Sequence, residues 1–204
     1  MVFGGIVIIR IMAGMAVTTN PIIWFSILGL SLFWALSQTM LAVFPAFAKI
    51  VLSEDNTIVI QGLLACSGLG IISGSLLAGK LCRQQIHFPV ILVGAIGLIT
   101  MLFVIPYLNT VISFALAIIG FGFFGGLFII PLNALIQMHA DIMQLGSVLA
   151  ANNWVQNLAM ISFLMLTYLV AKADTPSALF LQYLPWLAVL LIIPILIKLK
   201  RKFV

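Results

Sequence analysis

Charged side chains are almost missing from this sequence. Only 6% of its 204 residues are Asp, Glu, Lys or Arg, and four are acids, whereas a water-soluble domain carries about 25%. That shortage excludes most soluble enzymes and binding modules. Cysteine is nearly absent too: Cys66 falls inside an apolar run and Cys82 in a loop, too far apart to pair, so neither a disulfide framework nor a cysteine metal site is expected. The two histidines, His87 and His139, also fall at the loops, His87 at the very start of the third apolar run, and no run carries in its interior a histidine, an acid or a cysteine pair that would make a catalytic constellation. Asp141 is close to His139 in sequence only. No Gly-Lys-Ser/Thr phosphate loop occurs, so no cofactor is expected and the chain does not read as an enzyme.

Apolar length is abundant. Residues of hydrophobic type make up 64% of the chain, and they gather into six runs near Ile22 to Phe47, Thr57 to Gly79, His87 to Tyr107, Val111 to Gln137, Gly146 to Val170 and Ala178 to Ile197. Each reaches the roughly 20 residues needed to cross a bilayer as a helix. The expected fold is an all-α integral membrane protein. Residues 21–198 form the six-span domain, 1–20 an interfacial or linker segment, and 199–204 a basic cytoplasmic tail. In the opening stretch Arg10 interrupts the apolar residues and no basic region precedes them, which argues against a signal peptide.

The net charge of +5 is not a nucleic-acid signal, because the nine basic residues sort by membrane side rather than forming a patch. Arg10, Lys80, Arg83, Lys198, Lys200, Arg201 and Lys202 fall on one side of a six-span chain, and Lys49 and Lys172 on the other. The positive-inside rule makes the first side cytoplasmic, with both termini there. The closing basic cluster follows an apolar helix directly, where each cation near an anionic leaflet gains about 1 kcal/mol.

The six runs differ in their polar content. In the fifth, Asn152, Asn153, Gln156 and Asn157 occupy an arc of roughly 140°. An amide in hydrocarbon without a partner costs roughly 2–7 kcal/mol, so this arc is expected to face protein or water, either as interhelical hydrogen bonding or as a substrate pathway. In the fourth run Gly122, Gly126, Asn133 and Gln137 share an arc of roughly 60°. The Gly122/Gly126 spacing suits close helix packing; Pro131 removes the amide that would bond the carbonyl of Leu127, leaving a kink or a free acceptor. Ser67, Gly70, Gly74 and Ala78 form a small-residue stripe in the second run, which reads as a helix contact. Gln38 in the first run, beside Ser31 and Trp34, completes the candidate pathway residues. Runs three and six are apolar on nearly every face and can face lipid all round. Runs one, two, four and five thus bear polar or small faces while three and six do not, a three-plus-three pattern that an inverted repeat of a transporter half would show.

Two stretches carry a family resemblance. The loop Gly74-Ser-Leu-Leu-Ala-Gly-Lys-Leu-Cys-Arg83 resembles the second-to-third-helix loop of the major facilitator superfamily, with Gly74, Lys80 and Arg83 on matching positions, while Gly79 and Cys82 depart from its aspartate and glycine. Gly125-Gly-Leu-Phe-Ile-Ile-Pro-Leu-Asn-Ala-Leu-Ile-Gln137 with Gly146-Ser-Val-Leu-Ala-Ala-Asn-Asn153 is similar to the tenth and eleventh helices of the lysophospholipid transporter family, including its form fused to acyltransferase and acyl-acyl-carrier-protein synthetase domains. The resemblance implies half of a twelve-helix major facilitator fold, its C-terminal six helices, in a bacterial inner membrane. The implied substrate is a lysophospholipid, notably lysophosphatidylethanolamine. It implies as partners the phospholipid membrane, an N-terminal half-transporter or a second copy, and an acyltransferase. Amides beside leucine, phenylalanine and methionine suit a single-chain lipid with a polar head. No ionisable residue lies deep in any run, so this half offers no proton-coupling carboxylate. A non-transporting anchor or scaffold for a phospholipid acyltransferase is the alternative reading.

Overall fold

Asparagine or threonine side chains start three of the helices. In the computed structural model, which describes residues 20–201, the Asn20 Oδ1 accepts from the backbone N–H of Ile22 at 3.0 Å and the Asn56 Oδ1 from that of Ile58 at 2.9 Å. Thr110 Oγ1 accepts from the N–H of Ser113. Each cap satisfies a donor that the first helical turn leaves without an internal partner. The helices are α1 Pro21–Val51, α2 Thr57–Leu81, α3 Phe88–Val104 continued by a tight turn at Ile105–Tyr107, α4 Val111–His139, α5 Leu145–Lys172 and α6 Ser177–Lys200. All six are long and apolar enough to span a membrane, and the chain is a multi-pass membrane protein. The interfacial segment expected over 1–20 lies outside the described residues except for Asn20. The tail expected at 199–204 is helical through Lys200, followed by Arg201; the remainder lies outside the described residues.

The helices pass back and forth, so the start of α1 and the end of α6 share one face, called here the near end. Lys80, Arg83, Lys198, Lys200 and Arg201 lie at that end, and Lys49 and Lys172 at the far end. All three tyrosines, Tyr107, Tyr168 and Tyr183, sit exposed toward the far end of their helices, where an amphipathic ring suits the boundary of a bilayer. At the far end Lys49 Nζ lies 3.5 Å from Asp55, an exposed pair worth little.

α1 and α4 form the centre and pack antiparallel. Phe44 near the far end of α1 stacks on Phe114 at the start of α4, with ring centroids 4.3 Å apart. Phe33 stacks on Phe121, and Gly29 nearer the other end receives Phe128 and Leu132. Around this pair α2 and α3 pack on α4, while α5 and α6 pack on α1; α3 also meets α6. Exchanging α1 with α4, α2 with α5 and α3 with α6 maps these contacts onto themselves, apart from a slight touch of α1 on α2. Because α1 and α4 run in opposite directions, the two triplets are related as an inverted repeat.

Helices α3 and α6 correct one expectation. They do not face lipid all round. Ile91, Gly94, Ala95, Leu98 and Leu102 of α3, and Leu181, Leu184, Ala188, Ile192 and Leu199 of α6, form buried faces. Of the most apolar window of each helix, 44% is buried in α3 and 39% in α6, against 22% in α2 and none in α5. The second helix of each triplet, not the third, is therefore the peripheral one in this six-helix unit. Pattern analysis could not see this, since an apolar helix looks the same to hydropathy whether its neighbour is lipid or leucine.

Candidate functional site: the amide face and the glycine seam

Helix α5 owes its place to a small inner contact. Only Val148 and Asn152 along it are buried, and its packing partner is α1. Asn152 retains 5% exposure, the next residue, Asn153, is exposed, Gln156 is half-buried and Asn157 is exposed. The candidate arc thus straddles the rim of the α1 contact, with one edge packed and the other open.

Their hydrogen bonds run along the helix rather than between helices. Gln156 Nε2 donates to Asn152 Oδ1 at 2.8 Å, and Asn157 Nδ2 donates to the backbone carbonyl of Asn153 at 2.8 Å. On α4, Asn133 Nδ2 donates to the carbonyl of Ile129 at 3.0 Å. The interhelical bonding weighed for this face from the sequence is absent among the described residues. A side-chain amide offers two donor hydrogens and an oxygen with two lone pairs, so one intrahelical bond leaves most of that capacity open. Gln38 is half-buried and Gln137 exposed. The structure brings Asn152 and Gln156 into one bonded pair; Gln137 stands at the near end of α4, four residues past Asn133.

The glycines make a different kind of site. A Cβ added to Gly70 would overlap the carbonyl of Ile119, and one on Gly74 the carbonyl of Phe123. From the facing helix, a Cβ on Gly122 would overlap the carbonyl of Ser67, and one on Gly126 would press on the amide of Ser75 and the carbonyl of Ile71. Helices α2 and α4 therefore meet backbone to backbone along a seam of four glycines. Such an approach gains dispersion contacts where lipid supplies no hydrophobic drive between helices.

Three further glycine seats lie outside the stripes that the sequence pattern marks. Gly94 of α3 lies against the backbone at Phe124, Leu127 and Phe128, and Gly97 holds the Phe124 ring. Gly125 of α4 accommodates the Phe33 ring. The three-residue spacing of Gly94 and Gly97 within an apolar run was the available signal. By contrast Gly79 has open space around its Cβ position, and Lys80 and Arg83 are exposed beside it. Pro131 is buried within an α4 that runs unbroken from Val111 to His139. Both cysteines are free, and among the described residues no cluster of His, Cys, Asp and Glu could hold a metal ion.

In sequence the chain is similar to curated proteins named lysophospholipid transporter LplT. It is 32% identical over 155 residues to the one from Photorhabdus laumondii subsp. laumondii, covering 74% of this chain and 38% of that protein. The one from Klebsiella pneumoniae is 30% identical over 154 residues, again 74% and 38%. The one from Yersinia enterocolitica is 28% identical over 175 residues, covering 82% of this chain and 43% of that protein. The chain thus spans well under half the length of these relatives. No protein-family model matches it, and no solved structure matches it either.

Proposed function

We propose that this six-helix unit forms one half of a lysophospholipid translocation pathway, with the amide face of α5 as its polar lining. The observation that carries the reading is the pairing of amide content with exposure. Helix α5 places Asn153 and Asn157 on a surface that no helix of the unit covers, with most of their hydrogen-bonding capacity unfilled, although a polar amide in hydrocarbon without a partner costs roughly 2–7 kcal/mol. Those groups call for a partner beyond these six helices: water and a polar headgroup in a pathway, or a second helical unit lining the other side. The relatives' names supply the cargo class, and their greater length supplies room for the second unit.

In this reading Gln38, Asn133, Gln137, Asn152, Asn153, Gln156 and Asn157 contact the headgroup or its water. Half-buried apolar residues on the same arc, such as Met160 and Leu164, accompany the acyl chain. Amides suit a lysophosphatidylethanolamine headgroup because they both donate to phosphate and accept from ammonium without the trapping strength of a buried ion pair. The glycine seam holds α2 on α4 as a rigid support. The near end is cytoplasmic, from its basic residues, and the whole has the major facilitator arrangement of two halves rocking about a shared site. The complementary half is an N-terminal six-helix unit or a second copy.

The test is cysteine accessibility. In a background with Cys66 and Cys82 replaced by serine, Asn153→Cys, Asn157→Cys and, as a lipid-side control, Met165→Cys are treated in vesicles with a membrane-impermeant maleimide. A pathway predicts labelling at 153 and 157, protection by added lysophosphatidylethanolamine, and none at 165. Absence of reaction at both amide positions would instead support the anchor reading, in which that face is sealed against a partner such as an acyltransferase.

A further inference from the structure

Helices α5 and α6 are joined by the short turn at 173–176 and yet barely pack on one another: α5 packs on α1, and α6 on α1 and α3. Since α5 is fully buried only at Val148 and Asn152, in its near half, and its far half meets the core through partly buried residues such as Phe163 and Val170, the far half is loosely packed on the unit. The space left is a cavity of about 370 Å³, lined by Leu166, Val170, Thr175, Phe180, Tyr183, Leu184 and Leu187. Its walls are apolar apart from the threonine and the tyrosine hydroxyl.

We propose that this cavity seats the single acyl chain of a lysophospholipid, with Lys172 and Asp174 receiving its zwitterionic headgroup. The inference rests on the lysophospholipid reading for its ligand class, and concerns a place remote from the near-half amide pair of Asn152 and Gln156. Volume is the first argument. Taking the ~30 Å³ share of one water as the yardstick, the cavity holds roughly a dozen methylene-sized units, which is one chain and not two. Depth is the second. From Lys172 back to Leu166 the helix descends about 9 Å, and from Ser177 to Leu187 about 15 Å, so the cavity runs inward from the membrane boundary along the direction an acyl chain takes from its headgroup.

Charge is the third argument. Lys172 closes α5 and Asp174 sits in the turn, both exposed, and neither is in a salt bridge among the described residues, where Lys49 with Asp55 is the ion pair formed. A cation and an anion two residues apart at the lip complement a phosphate and an ammonium that are likewise close together. Asp174 holds a positive φ of 53°, which turns the chain there, one residue before Thr175 of the lining. The cavity is open on one side, with Leu166 and Tyr183 of its wall exposed, so a hydrocarbon chain can enter and gain dispersion contacts with the lining.

The experiment uses the full chain in phosphatidylcholine nanodiscs with a lysophosphatidylethanolamine carrying a diazirine in its acyl chain. After photolysis, adducts are mapped by peptide mass spectrometry. The expected adducts fall on 166–170 and 184–187. Leu187→Trp or, independently, Val170→Trp fills the cavity and lowers them about tenfold, equivalent to ~1.4 kcal/mol. Lys172→Ala and Asp174→Ala each lower them about threefold, as befits exposed charge contacts. Unlabelled lysophosphatidylethanolamine competes, whereas diacyl phosphatidylethanolamine at equal concentration does not. Adducts scattered evenly over exposed helix faces, or equal competition by the diacyl lipid, overturn the proposal. The maleimide protection at 153 and 157 is read separately: its loss with these adducts intact sinks the pathway reading and leaves the acyl seat standing, and the reverse result sinks the seat alone.

Discussion

Two glycines on one face-to-face helix pair should respond to the same substitution with opposite sign. Gly68 and Gly70 lie two residues apart in α2. At Gly68 an added Cβ meets nothing within 4 Å, while at Gly70 it overlaps the carbonyl oxygen of Ile119 and presses on the backbone of Phe123. Changing either to alanine raises intrinsic helix stability by about 1 kcal/mol. At Gly68 that gain stands alone. At Gly70 it is set against overpacking of about 1–3 kcal/mol, because the obstruction is backbone and cannot swing aside as a side-chain tip would. Parting α2 from α4 also loosens Gly74, Gly122 and Gly126, which share the seam. The propensity gain cancels in the comparison, so Gly70→Ala should be less stable than Gly68→Ala by about 1–3 kcal/mol. Unfolding of each variant in mixed micelles by added dodecyl sulfate, followed by circular dichroism, reads the difference directly. Equal midpoints for the two variants would refute the backbone contact between α2 and α4.

Other outcomes follow from the same contacts. Phe114→Ala removes the ring that stacks on Phe44 and lies beside Phe47; a loss of about 3–5 kcal/mol is expected in the same micelle assay, with Phe114→Leu retaining much of it. Lys49→Ala breaks an exposed pair with Asp55 and should change stability by less than about 0.5 kcal/mol, and a salt titration of the parent protein should show no larger effect. Gln156→Leu removes the i,i+4 bond to Asn152 at a stability cost of about 0.2–0.5 kcal/mol, yet it should abolish lysophospholipid protection of a maleimide site at 153. For the topology, a periplasm-active phosphatase reporter fused after Asp55 should be active, and one fused after Asp141 silent.

The candidate site was legible in kind and not in arrangement. Four amides on one arc of α5 can be read from spacing at 100° per residue, and so can the small-residue stripe of α2. What spacing cannot supply is the neighbour. Asn152 and Asn153 are adjacent in sequence and alike in chemistry, yet one is buried and the other exposed, because α1 reaches only one edge of the arc. Interhelical bonding was one of the two roles open to this face, and the bonds seen are intrahelical instead, because the residue four positions along is always in reach. The spacing of Gly94 and Gly97 marks a small-residue face on α3 but not which backbone or ring will approach it.

Six spanning helices were determined by the sequence itself, since a run of some 20 apolar residues is stable in hydrocarbon as a helix whatever lies beside it. The separation of basic residues between the two ends was determined in the same way, by counting passes. The partner of each helix was decided only in three dimensions. Hydropathy treats lipid and protein as one solvent, so α3, α5 and α6 could not be ranked by burial from composition. The ranking came from shape: glycine seats let α2 and α3 close on α4, and the aromatic stack joined α1 to α4. With only Val148 and Asn152 fully buried, α5 was left loosely packed along its far half, where the cavity beside α6 stands.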